Sequence, residues 1–268
     1  MTAPTLVILS PGSRHAPTAE SMHVLRKRMQ MVRPELSVQL AFLTECAPTG
    51  PQVAASLAGR GVREAVFVPL NLTHAVDTGE PTRSMILNIR KAHPQLAISL
   101  ARPIGPATDL LNALDLRLRT ALSQAHIAEL DALVLACPDS GDVRGSALLQ
   151  RRARQWSAHH HLPVALAFAD APGYGVAAAI RSLRDQGRRS IAVGSLFLTS
   201  DDAYLHMVDD AVRASAVAIG APLGGDDRVL DLVISRYSYA AMDLLDVAEG
   251  DVEAEWRNPG PGATVIAM

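Results

Sequence analysis

The chain has 268 residues, 49% of them hydrophobic and 19% charged, which is ample apolar surface and a length that favours two domains over one. Lys and Arg total 25 against 27 Asp and Glu, so no basic excess exists to hold a phosphate backbone, and the expected partner is a small molecule, not nucleic acid. The opening MTAPTLVILSPGSR lacks the basic flank of a secretory signal, and its apolar run Leu6 to Leu9 is too short for an export core or a membrane span, so a cytoplasmic protein with no membrane partner is expected.

Short β-type runs alternate with longer helical patterns from end to end, the signature of parallel sheets built from βαβ units. Strand Thr5 to Leu9 comes first, then a helix from Thr18 to Met31 stopped by Pro34, strand Val38 to Leu43, a helix around Val53 to Ala58 and strand Ala65 to Leu70. A helix from Thr82 to Ala92, strand Ala97 to Ala101 and a helix from Thr108 to Ser123 complete the first half. The second half repeats the order with strand Ala132 to Ala136, helix Ser146 to Ala158, strand Val164 to Phe168, helix Val176 to Asp185 and strand Ser190 to Val193. Helix Tyr204 to Ala214, strand Ala216 to Ile219 and helix Val229 to Leu245 close it.

Sequence identity reinforces the pattern. Ala41-Phe42 pairs with Ala167-Phe168, Gly61 with Gly187 and Leu72-Thr73 with Leu198-Thr199, all at one constant offset. The expected fold class is therefore α/β: two duplicated half-domains, each a small parallel sheet flanked by helices, with a cleft between them. The lobes are placed at 1–126 and 127–248, and the acidic, then Pro/Gly-rich stretch 249–268 is expected to be a flexible tail.

Open parallel sheets hold ligands beyond the carboxyl ends of their strands, where helix N-termini point free N–H groups into the crevice. Two of the loops so selected carry chemistry. Ser10-Pro11-Gly12-Ser13-Arg14 combines a turn glycine, hydroxyls and a cation that suit an anionic group, although Ser13 as a helix cap and Arg14 as a solvated charge explain it as well. Asn71-Leu72-Thr73-His74-Ala75-Val76-Asp77 holds an imidazole and a carboxylate three residues apart, either two ligands for a divalent metal, a base at His74, or a surface histidine beside a capping Asp.

Other apparent motifs carry less. Gly173-Tyr174-Gly175 has the form of a dinucleotide fingerprint, but the next strand end, Val193-Gly194-Ser195, offers no acid for a ribose, and Gly224-Gly225-Asp226-Asp227 lacks a Walker lysine, so no organic cofactor is expected. His159-His160-His161 is expected to be an exposed helix end, and Asp201-Asp202 a cap for the helix near Tyr204. Cys46 and Cys137 fit neither a zinc knuckle nor a disulfide framework and are expected to be bystander thiols.

Together, Leu6 to Arg14, Ala41-Phe42-Leu43 with Pro48, Val68-Pro69-Leu70-Asn71-Leu72-Thr73, the Ser190-to-Thr199 strand and Arg236-Tyr237 resemble the class II chelatase family over residues 5 to 245. The resemblance implies two α/β lobes around a tetrapyrrole of the sirohydrochlorin type, with ferrous or cobaltous ion as a substrate inserted in siroheme or cobalamin-type biosynthesis. It implies Ser10, Gly12, Ser13, Arg14 and Thr73 as macrocycle contacts, Ser13 and Arg14 holding its carboxylate arms. The family's metal-binding histidines and glutamate are replaced: their positions fall on Pro11, Asp77 and Thr44, with Glu45 adjacent, and Pro138 and Ala203 occupy the corresponding places in the second half. A rearranged site would use His74 as the catalytic base and His74, Asp77 and Glu45 as metal ligands. Two further readings stand beside the enzyme: a non-catalytic tetrapyrrole- or metal-binding carrier, and a generic two-lobed binder of small anions.

Overall fold

The computed structural model describes residues 3–171 and 173–257. β1 (Thr5–Ser10) is buried at all 6 of its positions. Its unbroken apolar run is what a parallel strand covered on both faces requires, because successive side chains enter opposite helix layers and neither layer is water. α1 (Ala16–Val32) leads to β2 (Val38–Phe42), α2 (Gly50–Gly59) to β3 (Glu64–Pro69), and α3 (Glu80–Ala92) to β4 (Ala97–Leu100). The four strands are parallel in the order β2-β1-β3-β4, with Ile8 between Leu40 and Val68.

α4 (Asp109–Gln124) crosses to the second sheet, built from β5 (Ala132–Cys137), β6 (Val164–Phe168), β7 (Ile191–Ser195) and β8 (Ala218–Ile219). α5 (Val143–His160), α6 (Val176–Asp185) and α7 (Asp202–Arg213) connect them, and α8 (Asp227–Arg257) follows. The order is β6-β5-β7-β8, the same winding as the first sheet, with Leu135 between Leu166 and Gly194. This is the α/β fold with two parallel sheets expected from the sequence.

Three apolar layers hold the sheets. Val7, Leu9 and Phe67 pack under Val53, Leu57, Ile86 and Ile89 of α2 and α3. Val134 and Val193 pack under Ile180, Leu183 and Met207 of α6 and α7. Between the sheets lies one continuous core, running from Leu6, Ile8 and Val68 through Met22 and Leu25 to Leu133, Leu135 and Trp156.

Packing crosses the division drawn at residue 126. α4 lies on β7 and β8, whereas α8 lies on β3 and β4, so each half of the chain lends its last helix to the other sheet. Polar groups fix the first exchange: buried Asp115 of α4 accepts hydrogen bonds from Trp156 Nε1 at 3.3 Å and His160 Nε2 at 2.6 Å and pairs with Arg119 at 2.8 Å. Gly194 beneath them has no alternative, because a Cβ there would fall 2.4 Å from the Trp156 ring and 2.6 Å from a Leu114 methyl. Burial pushes the Asp115 carboxyl up, but the Trp156 and His160 hydrogen bonds and the neighbouring cations outweigh it and hold the group below its ordinary value.

In the second half two boundaries differ from expectation by three residues or more. α5 begins three residues earlier than Ser146 because Asp142, not a hydroxyl nearer the apolar run, is its N-cap. α8 continues past Leu245 to Arg257, so 249–257, expected to be flexible tail, is helical; 258–268 lies outside the described residues. No helix among the described residues is long and apolar enough to cross a membrane.

Replacing Asp115 by Ala leaves the Trp156 N–H buried without a partner, and urea denaturation should show a loss of about 2 kcal/mol, the typical cost of an orphaned buried donor together with a lost charged hydrogen bond.

Candidate functional site

In each sheet the chain leaves the first strand toward one edge and the third toward the other, which opens a crevice beyond their carboxyl ends. The two crevices face one another. A cavity of about 210 Å³ between them is lined by Ser10, Gly12, Leu72 and Thr73 on one side and by Asp139 and Thr199 on the other. Beside it lies a wider space of about 430 Å³, bounded by Ser13, Arg14 and Glu45 opposite Asp201 and Asp202; Gly12 and Asp201 border both.

One edge of the cleft is clasped shut by Asp142. Its Oδ1 accepts from Gly145 N at 2.5 Å, capping α5, and from Ala75 N at 3.2 Å, while its Oδ2 accepts from Val76 N at 2.9 Å and Asp77 N at 2.8 Å on the opposite lobe. Three successive N–H groups of the 75–77 loop thus form a nest for a carboxylate presented by the other sheet. Burial raises the Asp142 pKa, but the backbone hydrogen bonds from Asp77, Val76, Gly145 and Ala75 prevail and bring it to about 2.

Close backbone approach completes the clasp. Thr73 Oγ1 donates to Asp139 Oδ1 at 2.5 Å. A Cβ on Gly141 or Gly145 would sit 2.1 or 1.9 Å from the Thr73 carbonyl oxygen, so only glycine lets the two loops meet.

The opposite edge is open. Arg14 Nε donates to Glu45 Oε2 at 2.8 Å on the rim, and Asp201 caps α7 through Tyr204 N at 2.9 Å, as the sequence suggested. No hydrogen bond among the described residues joins segment 12–15 to segment 199–203. Burial raises the Asp201 pKa at this edge, against the Tyr204 N–H that lowers it.

The residues singled out as macrocycle contacts do gather here. Ser10 and Thr73 are buried at the base, Gly12 turns at φ +90° with its α-carbon against the Thr44 carbonyl, and Ser13 and Arg14 stand at the rim, the Ser13 hydroxyl accepting from His15 N at 3.0 Å. His74 is a quarter exposed, its Nδ1 3.3 Å from Thr73 Oγ1 and 3.9 Å from Asp139 Oδ1.

The expected ligand set of His74, Asp77 and Glu45 is not brought together. Asp77 turns to its own helix, accepting from Gly79 N at 2.8 Å and pairing with Arg83, because its backbone N–H is held by Asp142. Glu45 is engaged by Arg14 on the rim. Among the described residues, only Asp115, His159 and His160 stand at metal-ligand spacing, and there both carboxylate oxygens already have partners. The His159–His161 run is therefore not simply an exposed helix end, since His160 turns inward to Asp115.

Sequence reasoning missed Asp139, Asp142, Asp201 as a cleft residue, and Thr18, whose buried hydroxyl borders the cleft without a partner. A capping Asp three residues ahead of Gly145 was the signal for Asp142; nothing local signals that it also binds the other lobe. The thiols are structural: Cys46 Sγ donates to Ser13 O at 2.9 Å, and burial raises the Cys137 pKa.

The CbiX family model matches residues 5–121. SirB from Bacillus subtilis with Fe3+ is similar over 89% of this chain and 96% of its own, at 16% identity and TM-score 0.71. The sirohydrochlorin chelatase SirB from Bacillus subtilis subspecies spizizenii in complex with cobalt matches 90% and 96%, at 14% identity and TM-score 0.71. CbiX, the terminal enzyme of siroheme biosynthesis in denitrifying bacteria, matches 88% and 99%, at 21% identity and TM-score 0.58. At these identities the likeness establishes the fold. No curated protein matches the chain.

Replacing Asp142 by Ala removes a helix cap and the interlobe clasp together, so a loss of about 3 kcal/mol is expected in denaturant unfolding. The pH dependence has a definite sign: a carboxyl depressed from 3.8 to about 2 stabilises fully above the ordinary value, and that stability fades as pH falls from there toward 2. Acid titrations of the native and Asp142→Ala proteins should converge across that window.

Proposed function

Because the CbiX family model matches residues 5–121 and the chain has the class II chelatase fold, we propose that the protein handles a tetrapyrrole of the sirohydrochlorin type in its interlobe cleft, in siroheme or cobalamin-type metabolism. The single observation that carries this is the cleft itself. Two facing switch points enclose one cavity, walled at its base by Leu70, Leu72, Phe197 and Leu198 together with hydroxyls and Asp139, and at its mouth by Ser13 and Arg14.

The macrocycle enters from the Arg14–Asp202 edge. The 210 Å³ space at the base is smaller than ordinary small-molecule sites, so binding parts the lobes on the open side while the Asp142 clasp stays closed. Arg14 exchanges Glu45 for a ligand carboxylate, and the unpartnered Thr18 hydroxyl gains a partner.

Binding without metal insertion is the reading the residues favour. Insertion needs a ligand that holds the ion over the ring and a group that accepts pyrrole protons. Pro11 and Thr44 at the expected positions supply neither, and the carboxylates of Asp77 and Glu45 are each neutralised by an arginine. A carrier or partner subunit for the macrocycle or its metallated product fits these facts.

One observation supports insertion as a second reading. His74 and Asp139 approach from opposite lobes to 3.9 Å, with Thr73 bonded to Asp139, which sets an imidazole beside a carboxylate. In that reading ferrous or cobaltous ion is the substrate, delivered against His74.

Anaerobic titration with sirohydrochlorin, followed in the visible spectrum, tests both. Saturable binding weakened about tenfold by Arg14→Ala, with insertion of iron or cobalt no faster than without protein, is the expected result. Acceleration that disappears in His74→Ala would replace the carrier by the enzyme, and no spectral shift would remove the tetrapyrrole altogether.

A further inference from the structure

The loop that carries Thr73 into the cleft presents Ala75 to a different cavity on its other side, about 260 Å³ in volume. Arg102, Arg144, Arg152 and Arg236 line it, and no carboxylate does. None of the four forms an ion pair among the described residues.

Two of these arginines are fixed in place. Arg152 Nε donates to Pro106 O at 2.8 Å and its Nη1 to Gln155 Oε1 at 2.7 Å. Arg236 Nε donates to Pro103 O at 2.9 Å and its Nη2 to Ile104 O at 3.3 Å. Burial lowers the pKa of both, and like charges add to it, Arg151 acting on Arg152 and Arg102 on Arg236, against the smaller opposing effects of Asp109 on Arg152 and Tyr239 on Arg236. Arg102 and Arg144 are exposed and reach over the same space without hydrogen bonds of their own among the described residues.

Four guanidinium groups line one cavity without a carboxylate among them, Arg102 acts on Arg236 as a like charge, and the N–H donors beyond those bound to Pro103, Ile104, Pro106 and Gln155 have no protein acceptor among the described residues. A carboxylate or phosphate satisfies both conditions, because its oxygens match the guanidinium fork and its charge offsets the repulsion. Arg102 and Arg236 also border an adjoining space of about 600 Å³ with Tyr239 and Asp243, which gives room for the body of a larger molecule.

We propose that this cavity binds a multiply charged oxyanion, a phosphate or polycarboxylate, held on the fixed pair Arg152 and Arg236 and closed over by Arg102 and Arg144. The site is distinct from the cleft and does not rest on the tetrapyrrole reading. Its cations come from the segment after β4, from α5 and from α8, so an occupant ties both halves of the chain together immediately behind the Asp142 clasp.

The test is calorimetric titration of the full-length chain with inorganic phosphate and, separately, with citrate, at constant ionic strength and without any macrocycle. Saturable binding of at least one is expected, weakened tenfold or more in the Arg102→Ala/Arg144→Ala double variant and unchanged in Arg181→Ala, an exposed arginine on α6. Phosphate alone binding identifies a phosphoryl ligand, and citrate alone a polycarboxylate. Arg144→Gln, which keeps a polar side chain, serves if the double variant loses its fold by circular dichroism. Binding of neither anion, or equal affinity in the native protein and a folded variant, overturns the site.

Discussion

A single carboxylate holds the two lobes together at the closed edge of the cleft. Asp142 ends the loop after β5, starts α5, and receives three consecutive N–H groups from the opposite lobe. The same carboxylate caps α5, so the 75–77 loop and the start of α5 are positioned together. The seat of Thr73 on Asp139 and the glycines that admit its carbonyl follow from the same contact. Closure on one edge has its counterpart in openness on the other, where Arg14 and Asp202 bound the space of about 430 Å³ from opposite sides.

Charge placement separates the regions of this junction. The base of the cleft is lined by aliphatic side chains, hydroxyls and Asp139, its rim carries one ion pair and two aspartates, and the space behind the clasp is lined by arginine. The first two set one cation, Arg14, against Glu45, Asp139, Asp201 and Asp202, whereas the third gathers cations alone and suits an anion. The same 73–77 loop is the wall between them, so chemistry on either side is separated by one thickness of backbone.

Much of the fold was legible in the sequence, because β1, β3, β5 and β7 are buried on both faces and read as unbroken apolar runs, and because repeated Ala-Phe and Leu-Thr pairs betray the matching order of the sheets. That Ser10, Gly12 and Thr73 line the cleft was legible too, since topology alone places them at a switch point. The metal set was not. His74 and Asp77 are near in sequence, yet the turn imposed by Asp142 sends their side chains apart, and Glu45 lies within reach of Arg14 only once β1 and β2 are paired. Nor was the arginine cavity visible, as its residues are scattered from 102 to 236 and converge only through the exchange of α4 and α8.

That exchange gives the molecule an unusual dependence on continuity. Cut between α4 and β5, the chain would yield two pieces of nearly equal length, each a sheet stripped of the helix that covers part of one face and each bearing a helix with nothing of its own to cover. Neither piece could bury its apolar surface alone, but each holds what the other lacks. The halves are thus obligate complements, reassembling as a pair or aggregating separately.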